Sequence, residues 1–223
     1  MSGFDDPGAV AAYTEGPPRL VPGFADMQRM ALLLLSENAP SDARILVLGA
    51  GGGLELKYFA EKRPGWRFDG VDPSSAMLAL ARTMLGPEAG RAALHEGLID
   101  AAPDGPFDGA CALLTLHFVP EEERRRTLQQ IHRRLKPGAP FIAVHHSIPR
   151  QDAARLQWLS RYADFAASSG VDPQKARGAA GAISQNLPVL SPEEDEALLR
   201  EAGFTDIALF YAAFTFRGWI ARA

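Results

Sequence analysis

An apolar run, Ile45-Leu46-Val47-Leu48, enters a glycine cluster, Gly49-Ala50-Gly51-Gly52-Gly53, and a helix-like segment opens at once with Leu54-Glu55. Strand, glycine turn and helix in immediate succession predict the first β-α unit of a nucleotide-binding α/β domain, with the ligand at the strand's carboxyl end. Glycines at 49, 51 and 53 allow a tight turn and a close backbone approach, because a Cβ there would take up space the ligand needs. The spacing then separates two ligand classes. A dinucleotide fingerprint, G-x-G-x-x-G, requires a third glycine at position 54, and Leu54 stands there instead. A second apolar stretch, Trp66-Arg67-Phe68-Asp69-Gly70-Val71, ends in Asp72. That places an acid about 20 residues beyond the first glycine, where it can accept both hydroxyls of a ribose. Asp72 can also act as a helix N-cap before Pro73-Ser74, and the two roles are compatible.

The G-x-G-x-G spacing resembles motif I of the class I S-adenosylmethionine-dependent methyltransferases, and Gly70-Val71-Asp72-Pro73-Ser74 resembles the ribose-binding segment of that family. Arg19-Leu20-Val21-Pro22-Gly23-Phe24 is similar to the R-x-V-P-G-Y arm of a narrower group, the carboxy-S-adenosylmethionine synthases and their methyltransferase relatives. The closing pattern Phe214-x-Phe216-x-Gly218 echoes the same group, so the resemblance runs from about Arg19 to the terminus. It implies a Rossmann-like α/β fold: a seven-stranded sheet in the order 3-2-1-4-5-7-6, strand 7 antiparallel, with helices on both faces. It also implies S-adenosyl-L-methionine as cofactor and S-adenosyl-L-homocysteine as product. The cofactor residues it implies are Arg19, Phe24, Gly49, Ala50, Gly51, Gly53, Asp72, Pro73, Met77, Leu98, Ile99 and Leu113.

The chain departs from the family where Val47 replaces the usual motif I acid. Phe24, Leu98 and Leu113 likewise stand where the synthase group has polar cofactor contacts, leaving Asp72 as the main charged anchor. Backbone groups of Gly49, Gly51, Leu98 and Ile99 remain available whatever the side chains are.

With 223 residues the chain is long enough for one domain with a sizeable core and too short for two full α/β domains. The expected organisation is a single domain, 1–223, with an amino-terminal arm and helix over 1–40 and a helical lid inserted at 147–190. Apolar residues at 24, 27, 30, 31, 34 and 35 predict a helix over Phe24–Glu37. The run Phe107–Pro120 reads as a buried central strand with its following turn, Pro140–His145 as the fifth strand, and Gln151–Ser169 as a helix ahead of a Gly/Ala-rich piece at 178–181. Ser191-Pro192-Glu193-Glu194 carries a helix start signal. Two strands, Ile207–Ala212 and Phe214–Ala221, close the chain.

A net charge of −4 and a pI near 5.7 argue against a nucleic-acid footprint. The bases at 124–126 and 133–136 lie at the end of a helix opened by Glu121-Glu122-Glu123, an arrangement that complements the helix dipole with no partner. A small-molecule acceptor is the expectation, with the protein a monomer or homodimer. The single cysteine, Cys111, excludes an intrachain disulfide framework and a CxxC metal site, so no metal is expected. Met1–Asp6 lacks a secretory signal pattern and Ala31–Leu35 is far too short to span a membrane. A cytoplasmic location without membrane attachment follows.

Methyl transfer to an oxygen or nitrogen nucleophile needs alignment and a base. His117, after strand four, and His145 and His146, at the end of strand five, are the candidate catalytic residues. Neighbours on a strand point to opposite faces, so only one of His145 and His146 can aim into a site. Two alternatives stay open: a carboxy-S-adenosylmethionine synthase-like or tRNA-modification-related protein, and a noncatalytic protein that only holds S-adenosylmethionine. In the synthases the extra carboxylate of the cofactor is met by an arginine before the penultimate helix. The corresponding Ser184–Ser191 has no base; Arg177 lies upstream and Arg200 on the following helix, so neither is an obvious substitute, and Arg19 on the arm is the one that could reach the site.

Overall fold

The structure, a computed structural model, describes Val10 and residues 13–223; the acidic Met1–Asp6 stretch lies outside them. After a short 3-10 turn at Tyr13–Glu15, the chain forms α1 (Gly16–Leu20), α2 (Phe24–Ser36), β1 (Arg44–Leu48), α3 (Leu54–Lys62), β2 (Arg67–Asp72), α4 (Ser75–Leu85) and β3 (Ala92–Glu96). It continues through β4 (Gly109–Leu113), α5 (Glu121–Arg134), β5 (Pro140–His146), α6 (Asp152–Ser168), α7 (Pro173–Asn186), α8 (Pro192–Glu201), β6 (Thr205–Ala213) and β7 (Phe216–Arg222). The strands make one sheet in the order β3-β2-β1-β4-β5-β7-β6. The first five are parallel, and β7 inserts antiparallel between β5 and β6.

The local chemistry explains where the elements begin and end. Ser74, not Asp72, is the N-cap of α4, its hydroxyl accepting from Met77 N at 3.2 Å. Ser191 and Glu194 close a full capping box on α8, and Gly203, at φ +101°, follows that helix. The Gly/Ala-rich piece at 178–181 is helical, because Asp172 caps α7 by accepting from Gln174 N and Lys175 N, and Pro173 sits at its first position. β4 stops earlier than the apolar run suggests. Leu114 takes a left-handed φ of +60°, which ends the pleat, and residues 116–118 form a 3-10 turn.

Each face of the sheet is covered. On one side Ile45, Val47, Cys111, Ile142 and Val144 pack with α2, α3, α6 and α7; on the other Leu46, Ala110, Ala112, Phe141 and Ala143 pack with α5 and α8. The lid segment is part of the first core, since Leu159, Tyr162, Ala163 and Ala166 of α6 and Ala176, Ala180 and Ile183 of α7 are buried there with Val21 of the arm. Tyr211 of β6 donates to Pro22 O at 2.5 Å, tying the arm to the closing hairpin.

Candidate active site

The carboxyl ends of β1, β2 and β4 open onto a cleft of about 390 Å3. Its floor is set by the glycine turn. Gly49 N and Ala50 N donate to Val71 O at 2.8 and 3.0 Å, locking the turn onto the end of β2. Gly51 N donates to Asp72 Oδ2 at 3.0 Å, and Ser74 N to Asp72 Oδ1 at 2.9 Å. The Asp72 carboxylate is thereby fixed in orientation.

The reason for glycine here differs from the sequence expectation. A Cβ on Gly49, at φ +75°, would lie 2.0 Å from Thr115 Oγ1, and one on Gly51 would lie 2.6 Å from Asp72 Oδ2 and 2.8 Å from Met77 Cβ. It is the protein's own packing, before any ligand, that excludes side chains at these two points.

Of the residues assigned to the cofactor from sequence, Gly49, Gly51, Asp72, Pro73, Met77, Leu98, Ile99 and Leu113 line the cleft. Four do not. Ala50 is buried beneath the turn, and Gly53 serves as N-cap of α3. Phe24 starts α2 and packs against the core instead of reaching the cleft. Arg19 is exposed and paired with Glu15 at 3.2 Å, one turn away.

The arm does reach the cleft, through a residue the sequence did not single out. Tyr13 lies on the glycine turn so closely that a Cβ on Gly52 would come 2.3 Å from its ring, and it forms one wall. Burial, and then the charges of Glu55 and Asp72, push its hydroxyl pKa upward, so it stays a neutral phenol. Thr115 and Phe118 of the β4 turn complete the opposite side. Thr115 Oγ1 donates to Leu48 O at 3.2 Å, which joins the ends of β1 and β4. At the mouth Leu98 is 55% exposed and Phe118 45%, two apolar surfaces suited to the faces of a planar base.

The three histidines lie outside this lining. His145 and His146 do face opposite sides of β5, as strand alternation requires, but both sides are covered. His145 sits against Trp219 with Nε2 3.1 Å from Asp195 Oδ1, in a cluster where Arg124 Nη1 also meets Asp195 Oδ1 at 2.7 Å. His146 stacks on Phe216 at 4.1 Å between ring centroids, meets Tyr162 edge-on, and lies 2.9 Å from Thr215 Oγ1 through Nδ1. His117 turns inward, its Nδ1 accepting from His146 N at 3.3 Å. Burial pushes both rings down, His146 to about 3 and His117 well below the usual histidine range, so both are neutral at physiological pH. Assigning a base to these positions is therefore not supported by their placement. The signal that could have told was the unbroken burial of β5, with an apolar partner strand on either side.

Among the described residues no three His, Cys, Asp or Glu side chains gather to hold a metal ion, and no helix is long and apolar enough to cross a membrane.

A family described as a methyltransferase domain matches residues 46–141, the span from β1 to the start of β5. The chain is similar to the carboxy-S-adenosyl-L-methionine synthase of Chromohalobacter salexigens, with 27% identity over 97% of this chain and 82% of that protein. It is 33% identical to the trans-aconitate 2-methyltransferase of Streptomyces avermitilis over 63% of this chain and 54% of that protein. A putative O-methyltransferase from Nostoc punctiforme shares the fold, with a TM-score of 0.69 at 19% identity over 96% of this chain; the chain spans 59% of that structure. With the strand order, the glycine turn and Asp72 in place, residues 46–141 match a methyltransferase domain, and these similarities support a class I S-adenosylmethionine-dependent methyltransferase of the group that includes the carboxy-S-adenosylmethionine synthases.

Proposed function

We propose that the cleft binds S-adenosyl-L-methionine, that a methyl group passes from it to a small-molecule acceptor, and that the plain cofactor is preferred to the carboxylated one. The observation that carries the donor choice is the composition of the wall. Among the described residues lining the cleft none is basic, and a buried carboxylate without a cationic partner is strongly disfavoured. Arg19, the arm's candidate for that role, is turned to solvent and paired with Glu15.

The residues present fit the cofactor. Asp72, a carboxylate on the cleft oriented by two backbone amides, is the group suited to the ribose hydroxyls. Leu98, Ile99 and Phe118 offer apolar surface to the adenine, and Gly49 and Gly51 bring the backbone of the turn to the cleft wall. When bound, the sulfonium supplies an electrophilic methyl that an in-line nucleophile can take. The chain's part is then to orient and to exclude water. Tyr13 closes the arm side of the cleft, while Thr115 and Leu114 fix the β4 turn opposite. Leu114 holds its left-handed backbone by donating to Val144 O, a strained turn of the kind found beside functional sites.

With all three histidines outside the cleft lining, this reading gives proton removal by histidine no part. The acceptor suited to this site brings a nucleophile already free of its proton or bearing an open lone pair. We read the protein as cytoplasmic and as a monomer or homodimer acting on a small molecule without nucleic acid, which its acidic balance supports. Competition between S-adenosylmethionine and its carboxylated form for the purified protein tests the donor choice. The plain form should bind at least as tightly. A clear preference for the carboxylated form, lost in Arg19→Ala, would refute it.

A further inference from the structure

Glu123 and Thr127 stand one turn apart on the same face of α5, and both line the cleft. Thr127 is only 4% exposed. A hydroxyl inside a helix commonly satisfies itself on the carbonyl four residues back, as Thr83 of α4 does by donating to Ala79 O at 3.1 Å. Thr127 makes no such bond, and its hydroxyl has no hydrogen-bond partner among the described residues. A buried hydroxyl left unbonded is costly, and the space it lines is the cleft. Arg126 fixes where on the cleft this happens. Its Nη1 donates to Glu123 Oε1 at 2.9 Å, and its Nη2 meets the Asp100 carboxylate of the 3-10 turn Ile99–Ala101. This ties α5 to the loop that carries Leu98 and Ile99. That loop gives the wall Gly97, Leu98 and Ile99, none of which has a side-chain donor or acceptor. Of the other hydroxyls on the wall, Thr115 is engaged on Leu48 O and Leu113 O, and Ser74 on Met77 N. Glu123 and Thr127 are the polar side chains that α5 adds beside the apolar end of the cleft.

We infer that Thr127 and Glu123 read the hydrogen-bonding edge of the cofactor's adenine, the Thr127 hydroxyl donating to ring nitrogen N1 and Glu123 Oε2, the oxygen not held by Arg126, accepting from the exocyclic amine. This inference rests on the cofactor reading above and adds to it the residues that select the base. Leu98 and Phe118 offer surface to the face of a base, and a face alone does not tell one base from another. A hydroxyl donor beside an anionic acceptor does, because it fits an edge with a ring acceptor next to an amine. Hypoxanthine or guanine would bring a carbonyl oxygen against the carboxylate, two acceptors with no proton between them. A site built for hydrogen bonds rejects an analogue that lacks them, since its own polar groups are then left unpaired.

Two analogues of S-adenosylhomocysteine separate the two roles from general support of the wall. In the 1-deaza analogue N1 is replaced by C–H, so the bond from Thr127 is lost. In S-inosylhomocysteine an oxo group replaces the amine and N1 carries a proton; the Thr127 hydroxyl can turn to accept it, so this analogue tests Glu123. In calorimetry the unmodified full chain should bind S-adenosylhomocysteine about tenfold or more tighter than either analogue. Thr127→Val keeps the shape of the side chain, which a thermal melt checks. It should weaken S-adenosylhomocysteine about tenfold, leave the 1-deaza analogue within about twofold and so abolish the preference between them, whereas Thr127→Ser should retain it. Glu123→Gln leaves Arg126 its Asp100 partner and supplies an amide that can turn N–H toward an oxo group, so the preference over S-inosylhomocysteine should fall about tenfold.

Equal weakening of S-adenosylhomocysteine and the 1-deaza analogue in Thr127→Val would make Thr127 a support of the wall and overturn the inference, as would unchanged affinity for S-adenosylhomocysteine. A preference over S-inosylhomocysteine that survives Glu123→Gln would overturn the part given to Glu123. Should valine disturb the packing, Thr127→Ala removes the same hydroxyl and is read in the same way. The unmodified protein decides without any substitution too: equal affinity for S-adenosylhomocysteine and both analogues would overturn the inference. Failure to bind S-adenosylhomocysteine at all would instead overturn the cofactor reading itself, a result distinct from the others.

Discussion

Arg124→Met should be among the most damaging single substitutions in the chain, although the residue lies outside the cleft lining. Arg124 is 0% exposed. Its Nη1 donates to Asp195 Oδ1 at 2.7 Å, and its Nη2 donates to Pro188 O at 2.7 Å and Val119 O at 3.2 Å. One guanidinium therefore joins α5, the β4 turn, the segment after α7 and α8. Removing it leaves Asp195 buried at 3% exposure, and breaking such a pair from one side costs about 3–5 kcal/mol, a large part of the roughly 5–15 kcal/mol that holds a domain together. Replacing both partners with apolar residues of similar volume, Arg124→Met with Asp195→Leu, should restore most of the loss, because no charge is then left uncompensated.

Burial alone would push the Asp195 carboxyl up, but the pull of His145 and Arg124 prevails and holds it below the ordinary carboxylate range. An acid lowered in the folded state stabilises above its unfolded pKa and loses that contribution as pH falls through the folded value. The penalty of Arg124→Met should accordingly be constant from pH 5 to 8 and shrink only in stronger acid. Urea unfolding of the wild type, both single variants and the double variant gives the coupling energy directly. A coupling below about 1 kcal/mol, or a double variant weaker than both singles, would refute the reasoning.

Three further outcomes follow from the same geometry. His146→Phe should remove part of the loss of stability on acidification: a histidine pushed down to about 3 stays neutral in the fold while the unfolded chain takes up protons below 6.5, so wild-type stability falls from pH 6.5 toward 3 and the variant's falls less. The pH profile of methyl transfer between 5 and 8 should show no limb that disappears in His117→Asn or His146→Phe; loss of such a limb would return the base role to that ring. Hydrogen exchange over α6 should be slow even without ligand, because Leu159, Tyr162, Ala163 and Ala166 are buried against the core and the arm; fast exchange there, slowed by cofactor and acceptor, would make the segment a mobile lid.

What the sequence disclosed were the features encoded locally. The glycine turn and Asp72 at the end of β2 follow from short patterns whose physical meaning is fixed by backbone geometry, the strand order is what the family resemblance implies, and eight of the twelve assigned cofactor residues stand on the cleft. What it did not disclose depends on how distant segments pack. Phe24 matched a motif, yet the helix it begins turns it into the core; Tyr13, in a stretch without periodicity, reaches Gly52 only because the arm folds back. Alternation placed His145 and His146 on opposite faces, but could not tell that Trp219 covers one and Phe216 with Tyr162 the other.

The most direct measurement is the calorimetric affinity of S-adenosylhomocysteine and its 2′-deoxy analogue for the wild type and for Asp72→Ala. Asp72 also receives Gly51 N and Ser74 N, so the analogue is needed to separate ribose binding from loosening of the turn. The wild type should bind S-adenosylhomocysteine, prefer it to the deoxy analogue, and show no binding of NAD. Asp72→Ala should weaken S-adenosylhomocysteine tenfold or more, since charge-assisted hydrogen bonds contribute roughly 1.5–3 kcal/mol each, and should bind the two nucleosides alike. Unchanged affinity in the variant, or a ribose preference that survives without the carboxylate, would contradict the assignment of this cleft to S-adenosylmethionine through Asp72.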